Sequence, residues 1–165
     1  MTRTATEEAG KPLSPAQAVL LGTLTVGTLD ILYAILFFRW YRDVPASGIL
    51  KSIASGLFGR EAFSGGAGMA ALGLLLHFVI AFGVVITFYL VSRRLPVLLH
   101  HPFVVGPLYG LVVYAVMNYA VVPLSAAPLS PPSGPPMIGG LLIHALGIGL
   151  PGALFARAAQ RGSER

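Results

Sequence analysis

Apolar positions in this chain run on without the alternation of a half-buried strand or the one-sided stripe of a soluble helix. Four stretches, 16–38, 67–91, 103–122 and 137–156, are apolar almost without a break. Each reaches the ~20 residues a helix needs to cross ~30 Å of hydrocarbon. They are too long and too continuous for tilted barrel strands of about 9–11 residues. Between the first two, Ile49, Leu50, Ile53, Leu57 and Phe58 recur at helical spacing, with Lys51, Ser52 and Ser55 on the other side. That period predicts a short amphipathic helix over about 46–59, lying in the interface plane with its serines turned outward. Residues 123–136 hold six prolines and no charge, which predicts an extended, polyproline-like strap. Pro107 is expected in the first turn of the third span, and Pro151 is expected to kink the fourth. The fold class read from this pattern is all-α: a polytopic membrane protein with a four-helix bundle and one interfacial helix.

Composition agrees. Of 165 residues, 55% are hydrophobic and 10% charged, where a soluble domain carries roughly 25% charge. No charged residue occurs in the 62 positions between Arg94 and Arg157. Such a surface cannot face water. High hydrophobicity excludes disorder, and the lack of cysteine excludes a disulfide scaffold. The +5 net charge reads as topology, and nucleic acid is not an expected partner; the lipid bilayer is. With the N-terminus inside, Arg3, Lys11, Arg93, Arg94, Arg157, Arg161 and Arg165 fall on the cytoplasmic side. Arg39, Arg42, Lys51 and Arg60 fall outside. Seven against four favours cytoplasmic tails at 1–15 and 157–165 around one membrane domain, 16–156. The first span follows Glu7 and Glu8 and exceeds the 7–15 residue core of a cleaved signal, so it is expected to be retained. Phe37, Phe38, Trp40 and Tyr41 suit an aromatic belt.

Few residues in the spans are ones that hydrocarbon rejects. Asp30 is the one acidic residue in any span, and a carboxylate at mid-bilayer costs about 2.5–3.5 kcal/mol on the insertion scale. His77, Asn118 and His144 are the strongest polar groups of the other three. At ~1.5 Å per residue all four fall in the outer half, roughly 6–15 Å from the outer ends of their spans. Gly27 and Ala34 flank Asp30 on its face, Gly73 and Ala81 flank His77, and Gly140 and Gly147 flank His144; Asn118 continues the stripe Gly106, Gly110, Tyr114. Small residues let membrane helices approach, so these faces are expected to meet other helices. The four are expected to form one buried cluster, with Thr28, Tyr33, Tyr114 or Tyr119 as donors. A position such as Val85 is expected to face lipid.

Several uses of such a cluster stay open. It is structural glue between helices in a non-enzymatic protein, or a proton- or ion-handling site of a small transporter. Two further readings are a haem b held by His77 and His144 and a metal ion held by Asp30, His77 and His144. Gly106 to Gly110 is a small-xxx-small pair that packs helices within the chain, or else joins a second copy or another membrane protein. His100 and His101 read as part of a basic interfacial patch. No nucleophile elbow, phosphate loop, dinucleotide fingerprint or metalloprotease motif is present, so neither an enzyme nor a resident cofactor is expected.

The segments Gly27-Thr-Leu-Asp30-Ile-Leu-Tyr33, Ile49 to Gly59, Leu76-His77-Phe78, Gly106 to Gly110, Asn118 and Pro123-Leu-Ser together resemble small bacterial inner-membrane proteins of the YagU-like type. The resemblance covers roughly residues 22–151. It implies a four-helix protein of the bacterial cytoplasmic membrane, and it brings no reaction and no catalytic residue with it.

Overall fold

The computed structural model describes residues 13–163, and side chains to residue 160. Arg3, Lys11 and Arg165 of the charge count, and the side chain of Arg161, therefore lie outside what is described. Four helices are long and apolar enough to cross a membrane: α1, Pro15–Arg42; α3, Ala67–Arg94; α4, Pro102–Leu124; and α5, Pro135–Gln160. A shorter helix, α2, occupies Ala46–Phe58. No strand occurs among the described residues. The protein is an all-α polytopic bundle.

Local chemistry sets the helix ends. Ser14 and Gln17 form a reciprocal capping box ahead of Pro15, satisfying two backbone donors at the start of α1. Asp43, with φ 55°, closes the other end in the left-handed conformation that asparagine and aspartate tolerate. Its carboxylate pairs with Arg39 at 2.6 Å. Large apolar side chains project outward in rows of i, i+4 spacing: Leu20 and Leu24, Leu32 and Leu36, Leu75 and Val79, Leu108 and Val112, Leu142 and Leu146. This is the belt that a lipid solvent requires.

Glycine decides how closely the helices meet. α4 and α5 are antiparallel, and a Cβ on Gly110 would overlap the His144 carbonyl; one on Gly106 would sit 2.9 Å from both the Gly149 oxygen and the Leu150 Cα. Gly140 receives the Tyr114 ring. The pair Gly106 and Gly110 is thus used within the chain. Gly27 lies under the Phe78 ring and beside Ala81 of α3; Gly147 is packed by Ile143 of its own helix and meets Leu29 of α1. Gly73 takes the Leu50 carbonyl of α2. Gly139, against the Tyr33 hydroxyl, and Gly149 complete the set, and the sequence stripes did not include them.

Three expectations are corrected. Ser52 and Ser55 of α2 turn inward: Ser52 is half-buried and Ser55 fully buried beside Ala54, while Leu57 and Phe58 are exposed. The hydroxyls of Ser52 and Ser55 are satisfied by the carbonyls three residues back, so the small polar face can pack while the bulky apolar end meets lipid. Val85 is 4% exposed, because α3 is apolar all round and is flanked by both α1 and α5; Gly22 of α1 points at Val85 and Phe155. Pro107 lies inside α4, in its second turn, because the helix already begins at Pro102.

Helices α4 and α5 each widen into a π-helical segment, Met117–Val121 and His144–Gly149. Each segment ends two residues before a proline, Pro123 and Pro151. Proline lacks an N–H and its ring crowds the carbonyl four residues back, so a locally wider coil relieves the clash. Asn118 and His144 both sit on these widened turns.

Candidate functional site

The four long helices close tightly at one end only. There Ala18, Val19, Val85, Phe88, Tyr89, Leu99, Ala153, Ala156 and Ala159 form the packed core with Val26 and Ile148. Toward the other end the helices part around a cavity of about 880 Å³. Val26 and Ile148 belong to both, and form its floor.

Asp30, His77, Asn118 and His144, one from each long helix, all line this cavity. The rest of the deep wall is apolar, including Ile31, Ile80, Val113 and Met117. The rim is built from Arg42 and Val44, from the Gly48, Ser52 and Gly56 face of α2, and from strap residues 127–133. The strap is pinned to α2 by the Ala126 N–H, which donates to the Gly56 carbonyl at 3.0 Å. Ser125 holds its turn by donating to the Val122 carbonyl and accepting from the Ala127 N–H.

The four polar side chains share a space without hydrogen-bonding to one another. His77 donates Nε2–H to the Gly27 carbonyl of α1 at 2.8 Å, the one hydrogen bond of the set that ties two helices. The tautomer is fixed by its partner, since a carbonyl only accepts. His144 donates Nδ1–H to the Gly140 carbonyl at 2.9 Å, one turn back on its own helix. Asn118 donates Nδ2–H to the Tyr114 carbonyl at 2.9 Å, likewise within its helix. The Tyr114 ring packs edge-on against His144, centroids 5.2 Å apart.

Asp30 differs from these three. Its carboxylate has no hydrogen bond and no ion pair among the described residues. It is half-buried, open to the cavity, and lies within electrostatic reach of His144 and, more weakly, His77. The expected donors do not serve it. Thr28 and Tyr119 are exposed, and the buried hydroxyls of Tyr33 and Tyr114 have no partner. No three of the described His, Asp or Glu residues are grouped so as to hold a metal ion. Sequence reasoning missed the rim: the inward serine and glycine face of α2 carried a signal only in its small residues at 48, 52 and 56, and the strap carried none.

Comparison of the chain with protein-family models, with curated proteins and with solved structures returned no match.

Proposed function

We propose that this protein handles a small solute or protons inside a bacterial cytoplasmic membrane, as a non-enzymatic transporter or binding unit built around Asp30. The carrying observation is that the four polar side chains of the four long helices line one cavity and leave the carboxylate without a protein partner. Structural glue would be expected to satisfy itself, because an unpaired polar group in a low-dielectric setting has a large desolvation penalty. An intramembrane acid turned into a cavity is instead the arrangement associated with substrate and ion pathways. The histidines then serve as proton-accepting neighbours, with His77 also fixing α3 against α1. The seven-to-four bias of basic residues supports cytoplasmic termini. The YagU-like resemblance supports the bacterial inner membrane.

The test is reconstitution into vesicles with a pH gradient and a trapped pH-sensitive dye. Asp30-dependent proton flux, or solute uptake lost in Asp30→Asn, is the expected result; wild-type and variant vesicles that behave alike refute the reading. Reporter fusions after Arg94 and after Gly134 check topology, the first expected to be cytoplasmic and the second not.

A further inference from the structure

The hydrogen-bonding inventory of the cavity specifies what it can hold. His77, His144 and Asn118 each direct a donor to a backbone carbonyl. What remains on each ring in its neutral form is one lone-pair nitrogen, Nδ1 on His77 and Nε2 on His144, and on Asn118 the amide oxygen with the second N–H of the amide. Asp30 adds two carboxylate oxygens. The deep layer therefore presents mainly acceptors, the Asp30 carboxyl among them, against an apolar wall. Among the described lining residues, free hydroxyl donors appear only at the strap, on Ser130 and Ser133.

We propose that the cavity receives a hydrophobic organic monocation bearing N–H donors, a protonated primary or secondary amine, with Asp30 as its counter-charge. The proposal rests on the solute-handling reading above and names its substrate class. Size agrees, since about 880 Å³ falls within the ~300–1,000 Å³ usual for small-molecule sites. An ammonium group would donate to Asp30 and to the imidazole and amide acceptors, while its organic portion covers Ile31, Ile80, Val113 and Met117. A bare inorganic cation is poorly served: a hard ion takes about six oxygens, and this layer offers side-chain oxygens from Asp30 and Asn118 alone. An anion is served worse. The cationic residue of the lining, Arg42, is twelve positions along α1 from Asp30, about 18 Å. Its guanidinium already lies over the Tyr41 ring.

Full-length protein in lipid nanodiscs would be titrated with three fluorescent probes of one shape: 1-naphthylmethylammonium, neutral 1-naphthylmethanol and anionic 1-naphthylacetate. The ammonium is expected to bind at least about tenfold tighter than the alcohol, as a charge-assisted hydrogen bond implies. The carboxylate is expected to bind weakest. Asp30→Asn should erase the ammonium preference while the variant still binds the alcohol, which shows that the cavity is intact; Asp30→Glu should retain the preference. Ile53→Trp, which fills the cavity from α2, should weaken all bound probes. Equal or tighter binding of the anion, a preference that survives Asp30→Asn, or indifference to Ile53→Trp would each overturn the proposal. Loss of this proposal with Asp30-dependent proton flux preserved removes only the amine as substrate; absence of both removes the proposed function as well.

Discussion

The two ends of the bundle are built from the same helices and differ in what fills the space between them. At the end flanked by Arg93, Arg94 and Arg157, alanines at 153, 156 and 159 present a small face along α5, and aromatic rings from α3 fill against it. Tyr109 reaches across to the Val84 carbonyl at 2.7 Å, and Gln160 donates to Ser92 at 3.4 Å. At the α2 and strap end the helices enclose a cavity lined by one acid, two imidazoles and an amide. Lipid provides no hydrophobic force to squeeze apolar helices together, so van der Waals fit and hydrogen bonds decide where they touch. Small residues supply that fit at the packed end. At the hollow end the glycine seam of α4 and α5 still closes, and Asn118 and His144, on the π segments at 117–121 and 144–149, line the cavity. One bundle thus combines a rigid base with an open chamber.

That contrast breaks most severely at the seam both ends share. Gly110→Val places a branched side chain on the His144 carbonyl, and overpacking of this kind costs about 1–3 kcal/mol or more; monodisperse protein is expected to be lost in size-exclusion chromatography. Asp30→Asn, at the hollow end, is expected to leave detergent melting nearly unchanged and to cut Asp30-dependent flux by about tenfold or more, a split that separates chamber from base. His77→Leu removes the bond from α3 to the Gly27 carbonyl. Interhelical bonds in membranes are worth about 0.6–2 kcal/mol, so a melting temperature lowered by a few degrees is expected. Val79→Ala, on a residue 57% exposed, should change stability by less than about 0.5 kcal/mol. A Val79 variant as damaging as His77→Leu would show that the outward rows are misassigned.

Legibility differs in the same way between elements. The spans could be read to within a few residues, because continuous hydrophobicity over a helix-length window has one solution in hydrocarbon. The glycines 106 and 110 were readable as a contact face because their spacing repeats each turn, although their partner was not. Val85 could not be placed, since a helix apolar on every side has no periodicity to say which face meets protein. The serine face of α2 was misread because amphipathicity normally points polar groups at water, whereas here the hydroxyls bond their own helix and the small side chains make room. The π segments had a signal, Pro123 and Pro151 just beyond them, but a proline marks strain without saying whether the helix kinks or widens.

The sequence by itself determined the solvent of this chain, the number of crossings and which side chains hydrocarbon would reject, because transfer free energies act residue by residue. Only the tertiary structure decided that those side chains surround a cavity, with their donors turned to backbone carbonyls and Asp30 left open. That outcome depends on backbone separations of an ångström or two, set by glycine seams and proline-widened turns on helices far apart in the chain.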